Sequence, residues 1–374
     1  MMADQPKFAH YMLKEIFENP AAVRDTVVPR IDGEGKIQLE GLRMGEDELR
    51  RLKQIHILAS GTSRHAGLAG KIMLQELAGV HVDVEYASEF QYSNPESSSH
   101  ELTMVITQSG ETADTIAAMK VAAAKGSKTL AIVNVADSMI AKHADSVMVT
   151  HAGREVAIAS TKAFTAQLAA LFLFAVYLGE VRGTLSREKA LHHLAQLKEI
   201  PEKLERVLEQ NSVCEKLAEK YSMAADFLFL GRSVHYPAAM DGALKLKEVS
   251  YIHAEAYPTG EIKHGPYALI DALLPIVCIA TRDDGDAYSI QRYNITLQHM
   301  RDVKARSGKV IAVAVEGSEE IYEITKDIIF VPPAPELLLP IVEIVPLQLF
   351  AYYIALQRGL NVDHPRNLVK AVTE

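Results

Sequence analysis

Residues 55–77 read Ile55-His-Ile-Leu-Ala-Ser-Gly-Thr-Ser-Arg-His-Ala-Gly-Leu-Ala-Gly-Lys-Ile-Met-Leu-Gln-Glu-Leu77 and contain three patterns in succession. The apolar run Ile55–Ser60 predicts a buried strand, and Gly61–Gly67, rich in glycine and hydroxyls, predicts a turn. Leu68–Leu77 has the periodicity of a helix that ends at Gly79. A strand, a turn and a helix in this order are the repeating unit of an α/β fold.

The same order of patterns continues along the first half of the chain. We predict strands at Val80–Tyr86 and Leu102–Thr107, followed by a turn at Gln108–Thr112. A helix at Ala113–Lys125 and a further strand at Thr129–Val135 come next. Strands that alternate with helices of this length favour a parallel sheet with helices on both faces.

The second half repeats the first. Phe227–His235 resembles Ile55–His65, and Pro275–Ala280 resembles Met104–Thr107, at a nearly constant offset. An offset this large indicates that a whole domain is duplicated. The predicted fold is therefore α/β, with two similar domains in tandem, each a parallel sheet flanked by helices in a three-layer αβα sandwich.

The chain divides into five predicted segments. They are an N-terminal helical segment at 1–44, a first α/β domain at 45–185, a helical connector at 186–212, a second α/β domain at 213–357 and a C-terminal tail at 358–374. The tail is predicted to be docked, because Pro365, the Arg366-Asn367 pair and Lys370 between apolar residues are unusual for a frayed terminus.

Composition excludes several classes of function. The 374 residues are 48% hydrophobic and 23% charged, as in a globular enzyme, and the net charge of -9 with a pI near 5.9 provides no basic footprint for nucleic acid. Cys214 and Cys278 are expected to be buried, reduced thiols of a cytoplasmic protein. The apolar runs Leu168–Leu178 and Leu337–Leu356 predict buried helices, so no membrane contact is expected, and Met1-Met2-Ala3-Asp4 does not begin a signal segment.

Three turns in the first half are rich in hydroxyl groups. Thr107–Thr112 follows a strand and precedes a helix, where backbone N–H groups and the helix dipole favour an anion, and Gly110 permits close approach. The alternative is a tight turn with Thr112 as N-cap. Gly61–Ser63 and Ala159–Lys162 are turns of the same kind, and together the three predict one polar, phosphate-binding pocket at the carboxyl edge of the sheet. A nucleotide is disfavoured, because the P-loop ending is missing.

The second half carries different groups. Its corresponding turn, Thr281–Gly285, is acidic and unsuited to an anion. A helix predicted over Pro237–His253 places Asp241, Lys245 and Glu248 on one stripe, which is either a functional cluster or a solvated face. His264 lies in a loop rich in glycine and proline and is either a functional or a merely solvated histidine. No Cys/His/Asp/Glu spacing resembles a metal site, so no metal and no cofactor are predicted.

Several of these segments together resemble the isomerase half of the glucosamine-6-phosphate synthase family, which consists of two sugar isomerase (SIS) domains. The similarity covers nearly the whole chain. The segments are Phe8–Pro20, Ser60–Ser63, Thr107–Thr112, Ala159–Ala163, Gly242–Ala256, Lys263–Pro266 and Pro365–Thr373.

The resemblance implies an enzyme of fructose 6-phosphate that also binds glucose 6-phosphate and glucosamine 6-phosphate. It implies that Glu248 carries the proton between C1 and C2 with the support of Lys245, and that Lys370 forms an imine with the open-chain ketose. His264 opens the sugar ring from the neighbouring subunit of a homodimer. The implied substrate-binding residues are Ser63, Thr107, Gln108, Ser109, Thr112, Ile158, Ser160 and Val369.

The chain also departs from the family pattern. Ser60 replaces the usual cysteine, Thr107 replaces a serine, and the tail reads Leu-Val-Lys-Ala in place of Leu-Ala-Lys-Ser. The glutaminase domain with its N-terminal cysteine is not part of this sequence, so we expect either an isomerase part or a stand-alone relative. The alternatives are a glucosamine-6-phosphate deaminase, a deglycase of phosphorylated fructosamines, or a sugar-phosphate sensor. A sensor would not need the catalytic residues Glu248, Lys245 and Lys370, and their presence argues against it.

Overall fold

The computed structural model describes residues 8–93 and 100–373, so Met1–Asp4 and Glu374 lie outside the described residues. Within the described residues, ten strands form two parallel sheets of five strands each. The predicted α/β fold is confirmed. The strands are β1 (Gln54–Ala59), β2 (His81–Tyr86), β3 (Glu101–Thr107), β4 (Lys128–Val133), β5 (Ser146–Val149), β6 (Asp226–Gly231), β7 (His253–Pro258), β8 (Pro275–Ala280), β9 (Lys309–Val315) and β10 (Ile328–Val331).

The two sheets have the same topology. The order in the first is β2-β1-β3-β4-β5, and the order in the second, from its other edge, is β7-β6-β8-β9-β10. The strand order reverses between β1 and β3 in the first sheet and between β6 and β8 in the second. At such a reversal a crevice opens at the carboxyl ends of the strands.

Helices connect and cover the strands. They are α1 (Tyr11–Phe17), α2 (Asn19–Val27), α3 (Glu46–Arg51), α4 (Gly61–Ala78), α5 (Ala87–Phe90), α6 (Ala113–Ala124), α7 (Met139–His143), α8 (Lys162–Arg182), α9 (Arg187–Leu208), α10 (Asn211–Tyr221), α11 (His235–Ser250), α12 (Ala287–Lys304) and α13 (Leu339–Gln357). Short 3₁₀ helices occur at Val28–Arg30, Glu261–His264, Pro266–Leu269, Glu319–Glu323 and Glu336–Leu338.

Two predicted boundaries were wrong. Gly61–Gly67 is not a turn but the first two turns of α4, because Ser60 is extended and the helix begins directly after it. The helix predicted to reach His253 ends at Ser250, since Tyr251 adopts a left-handed conformation with φ of 60° and His253 begins β7. The predicted helix closure at Gly79 is confirmed, with φ of 59°.

The long apolar helices form the centre of the molecule. α8 packs on α4, α13 packs on α11, and α4 contacts α11 across the two halves. The spans Lys162–Arg182 and Glu336–Gln357 have the length and hydropathy of a membrane span, but their apolar windows are 83% and 100% buried within the fold. They are therefore core helices, as predicted, and they fix the two sheets relative to each other.

Candidate active site

A cavity of about 310 Å³ lies at the carboxyl edge of the first sheet. Both halves of the chain and the C-terminal tail contribute to its wall. The lining residues are Ser60, Gly61, Thr62, Ser63, Ile106, Thr107, Gln108, Ser109, Thr112, Thr115, Ile158, Ser160, Lys245, Glu248, Leu368, Val369, Lys370, Ala371 and Val372. The three hydroxyl-rich segments thus meet in one pocket, and all predicted site residues except His264 line it.

The segment after β3 forms one wall. The Thr107 and Thr112 hydroxyls lie 3.2 Å apart, and the Gly110 N–H donates to the Thr107 hydroxyl at 3.3 Å. Gly110 has φ of 69°, and a Cβ there would lie 2.0 Å from the Ser138 hydroxyl, so only glycine fits this turn. Thr112 occupies the N-cap position of α6, but its side chain makes no capping hydrogen bond. Thr112 is thus the N-cap residue, as the alternative interpretation predicted, but its hydroxyl does not cap the helix.

Ser63 is held from behind by the core. It lies in the first turn of α4, and its Oγ accepts a hydrogen bond of 2.9 Å from the side-chain amide of Gln167 in α8. Gln167 is buried. Because the amide supplies the proton of that bond, the hydroxyl proton of Ser63 remains free to donate elsewhere.

Glu155 organises the segment before α8. One of its oxygens accepts the Ser160 hydroxyl at 2.8 Å and the Lys370 ammonium at 2.6 Å, and the other accepts the Thr161 N–H at 2.9 Å. Burial alone raises the pKa of Glu155, but Lys370 and these hydrogen bonds outweigh it and hold the pKa below its ordinary value. Glu155 is therefore an ionised carboxylate that fixes both a predicted ligand and the predicted nucleophile.

The N-terminal helix supports the same segment. Glu15 in α1 accepts the backbone N–H groups of Val156 and Ala157. Burial raises the pKa of Glu15 to about 7, and the Val156 N–H opposes the shift only in part. The segment that carries Ser160 is thus held by one carboxylate from each side.

The charged stripe of α11 is buried. Asp241 is 0% and Lys245 1% exposed, whereas Glu248 retains some exposure towards the cavity. The interpretation as a solvated face is wrong. The Lys245 ammonium lies 2.5 Å from a Glu248 oxygen, and Asp241 contacts His65 of α4 at 3.2 Å. Burial lowers the pKa of Lys245, but Glu248 and Asp241 outweigh it and raise the pKa above its ordinary value.

The C-terminal tail closes the cavity. The Ala113 N–H at the start of α6 donates to the Val372 carbonyl at 3.0 Å, and the Arg366 N–H donates to the Tyr251 hydroxyl at 2.8 Å. The tail is therefore docked, as predicted. The Arg366 guanidinium stacks on the Tyr251 ring at 4.2 Å, and the ionic partner of Lys370 is Glu155.

His264 lies elsewhere. It ends the 3₁₀ helix Glu261–His264 after β7, is exposed, and does not line the cavity of its own chain. This position is compatible with the predicted contribution to a neighbouring subunit, which stays a prediction.

The corresponding edge of the second sheet is filled by side chains. His235 lies between Glu343, at 2.8 Å, and Glu336, at 3.0 Å. The Thr281 hydroxyl donates to Glu343, and Arg292 pairs with Glu336. In the second half these side chains occupy the place that the segment Thr107–Thr112 has in the first half. The two carboxylates make this place unsuited to an anion, as the acidic sequence at 281–285 predicted.

Other depressions are less suited to a polar ligand. One of about 380 Å³ lies along the junction between residues 38–42 and β5, and one of about 430 Å³ lies near the amino ends of β6 and β7. Neither is at the carboxyl edge of a sheet, where α/β folds bind ligands. Within the described residues, no group of three or more His, Cys, Asp or Glu side chains is arranged to hold a metal ion.

A family model of the SIS domain matches residues 48–177 and, separately, residues 221–358. The chain belongs to the SIS domain family. Each match contains one complete five-stranded sheet, so the two sheets are two SIS domains.

Curated relatives identify the branch of the family. A glutamine–fructose-6-phosphate aminotransferase (isomerizing) of Chlorobaculum tepidum is 48% identical over 367 residues, which are 98% of this chain and 58% of that protein. A protein of the same name from Thermus thermophilus is 47% identical over 372 residues, 99% of this chain and 60% of that protein. The chain spans about three fifths of the length of these relatives.

Solved structures agree. The C-terminal domain of glucosamine-fructose-6-phosphate aminotransferase from Francisella tularensis superimposes with a TM-score of 0.90 at 35% identity, covering 97% of this chain and 100% of that chain. The predicted resemblance to the isomerase half of this enzyme family is thereby confirmed. A glucosamine-6-phosphate deaminase from Thermotoga maritima has a TM-score of 0.72 at 22% identity, covering 97% of this chain and 99% of that chain, and shares the fold.

Sequence reasoning missed two residues that hold the cavity wall from behind, Glu155 and Gln167, and one residue of the wall itself, Thr115. Glu155, Gln167 and Thr115 carry no local pattern that separates them from ordinary loop and helix residues. Glu155 offered one weak signal, since it is an acidic residue close to the hydroxyl-rich turn at 159–162. The partners of Glu155 and Gln167 are set by tertiary packing.

Proposed function

We propose that this chain is the sugar-phosphate isomerase unit of a glutamine–fructose-6-phosphate aminotransferase. Its substrate is fructose 6-phosphate, which it isomerises and, when ammonia is supplied, converts to glucosamine 6-phosphate. The observation that carries the proposal is the convergence of a hydroxyl-rich anion site, the Lys245–Glu248 pair and Lys370 on one cavity. A sensor of sugar phosphates has no need of the two lysines and the carboxylate.

The phosphate group is assigned to the wall after β3. Thr107, Gln108, Ser109 and Thr112 surround the start of α6, where the helix dipole favours a negative charge. Ser63 adds a hydroxyl proton that Gln167 leaves free. Ser160, in contrast, gives its proton to the ionised Glu155, so it accepts a hydrogen bond from a sugar hydroxyl and does not donate to the phosphate.

Glu248 is the proposed base that moves a proton between C1 and C2. It lines the cavity, and its carboxylate forms an ion pair with Lys245. The pKa of Lys245 is raised, so this amine stays charged. A charged amine beside the base also stabilises the negative charge that develops on the substrate oxygens when the C–H bond breaks. The negative charge of the buried Asp241 also raises the pKa of Lys245.

Lys370 is the proposed nucleophile. An ammonium ion cannot attack a carbonyl, so Lys370 first releases a proton to solvent, and the ionised Glu155 in contact with it orients the amine. The neutral amine then forms the imine with C2 and water leaves. Ile158 and Val369 contribute apolar side chains to the lining of the same cavity.

His264 is assigned to ring opening in the active site of a second copy, so the active form is a homodimer. His264 is exposed and is not among the residues that line the cavity of its own chain, and both observations support the proposal. We place the protein in the cytoplasm, because Cys214 and Cys278 are free, buried thiols. No nucleic acid or membrane partner is proposed.

The test is isomerisation of fructose 6-phosphate to glucose 6-phosphate, followed with a coupled dehydrogenase. Glu248→Gln is expected to lower turnover by ~10² to 10⁴ while glucose 6-phosphate still binds, because the base and the anion contacts are separate. Glu219→Gln on the exposed face of α10 is the control and should match the parent. Turnover of Glu248→Gln within twofold of the parent would contradict the assignment.

A further inference from the structure

Thr115 is a buried residue of the cavity wall with an unexplained hydroxyl. It lies in the first turn of α6, is 1% exposed and lines the cavity. Its Oγ1 has no hydrogen-bond partner anywhere in residues 8–93 and 100–373. A buried hydroxyl without a partner costs about 1 to 3 kcal/mol, so native proteins normally satisfy such groups.

The position of Thr115 defines what can satisfy it. Thr112 and Thr115 are three residues apart and therefore lie on the same face of α6. Each neighbouring hydroxyl already has one protein partner, since those of Thr107 and Thr112 lie 3.2 Å apart and that of Ser63 accepts from Gln167. Thr115 retains both its proton and its lone pairs at the end of the helix where an anion is favoured.

We infer that the Thr115 hydroxyl is a further ligand of the phosphate group and donates a hydrogen bond to one of its oxygens. The inference rests on the proposed function of the cavity. It places the phosphate against the first full turn of α6, between Thr112 and Thr115, in addition to the segment 107–112.

The inference predicts opposite effects on binding and on stability. Thr115→Val keeps the shape of the side chain and removes the hydroxyl. Glucose 6-phosphate, measured by calorimetry, should bind about tenfold more weakly, since a hydrogen bond to a charged group is lost. The melting temperature of the protein without ligand should stay the same or rise, because the valine removes an unpaired polar group. Thr115→Ser should bind within about threefold of the parent.

Thr296→Val is the matched control. Thr296 is also a buried helical threonine, but its hydroxyl donates to the Arg292 carbonyl at 3.0 Å, far from the cavity wall. This variant should lose stability and keep the parental affinity for glucose 6-phosphate.

Three outcomes would overturn the inference. If Thr115→Val binds glucose 6-phosphate as tightly as the parent, a water or nothing satisfies the hydroxyl, and the proposed function stands without it. If Thr115→Val melts several degrees lower and Thr115→Ser restores the melting temperature, the hydroxyl has a structural partner. If the parent itself does not bind glucose 6-phosphate, the proposed function fails and the role of Thr115 fails with it.

Discussion

Lys370 and Glu155 are 215 positions apart in the chain, yet the Lys370 Nζ lies 2.6 Å from a Glu155 oxygen. The same nitrogen donates to the Ala157 carbonyl at 2.7 Å. The C-terminal tail is thus fixed by an ionic contact at the residue that is proposed to react, and the segment that carries Ser160 is fixed by the same carboxylate.

Removing the charge of Glu155 should affect both catalysis and stability. Glu155→Gln loses the ionic partner of Lys370 and the carboxylate proposed to orient its amine, so isomerisation should fall at least about tenfold. The free energy of unfolding in urea should fall by at least about 1 kcal/mol, a value that allows for the partial exposure of Lys370.

The control for this variant is Glu205→Gln, which breaks the exposed pair with Arg24. Exposed pairs contribute little, so its unfolding free energy and activity should stay close to those of the parent. A Glu155→Gln protein that is as active and as stable as the parent would show that the contact has neither role.

The homodimer proposal predicts complementation between inactive variants. His264→Ala and Glu248→Gln proteins should each be inactive. When the two are mixed and subunits exchange, one of the two sites in each mixed dimer has both groups intact, so up to about half of the parental activity per mixed dimer should return. Exchange is verified with differently tagged chains. Absence of recovery after proven exchange would assign His264 to a role outside the partner's site.

Much of the fold was predictable from the sequence, because strands, turns and helix ends each have a local pattern. The pairing of Lys370 with Glu155 was not, since ionic partners far apart in the chain share no periodicity. Nor was the burial of Asp241 and Lys245 predictable, because a stripe of charges at helical spacing looks the same on a solvated face and on a face packed against α4. The hydroxyl-rich segment Thr107–Thr112 was recognisable because it directly follows a predicted strand and precedes a predicted helix.

Stability should fall at alkaline pH through His235. Burial lowers its pKa, but Glu343 and Glu336 outweigh it and raise the pKa to about 10. A histidine whose pKa is higher in the folded than in the unfolded protein stabilises the fold, and this stabilisation is complete below the pKa of the unfolded state, near 6.5. The stabilisation is lost as the pH rises towards 10, the pKa of the folded state. Between pH 7 and 9.5, the free energy of unfolding of the parent should therefore fall by at least about 1 kcal/mol more than that of a His235→Gln variant.

The control for the pH effect is His253→Gln. His253 also contacts a carboxylate, that of Asp226 at 3.1 Å, but its side chain is exposed. This variant should keep the parental dependence on pH, measured by urea unfolding at both values. Equal slopes for the parent and His235→Gln would mean that His235 does not hold a proton in the folded state over this range.

Nitrogen transfer by this chain should use ammonia and not glutamine. Hydrolysis of glutamine by a cysteine needs a thiolate, but both cysteines are buried and burial raises their pKa, that of Cys278 to about 12. Product formation is compared with glutamine, with an ammonium salt and with neither. We expect isomerisation in all three and slow glucosamine 6-phosphate formation with ammonium alone. Amination that depends on glutamine would contradict this account.

The central claim is that Lys370 forms an imine with fructose 6-phosphate in the cavity that Glu248 lines. The most direct measurement is reduction with borohydride in the presence of fructose 6-phosphate, followed by mass spectrometry of peptides. We expect a reduced sugar phosphate on Lys370 in the parent and no adduct in a Lys370→Arg variant. An adduct on Lys245, or unmodified Lys370 in a chain that is actively isomerising the sugar, would contradict it.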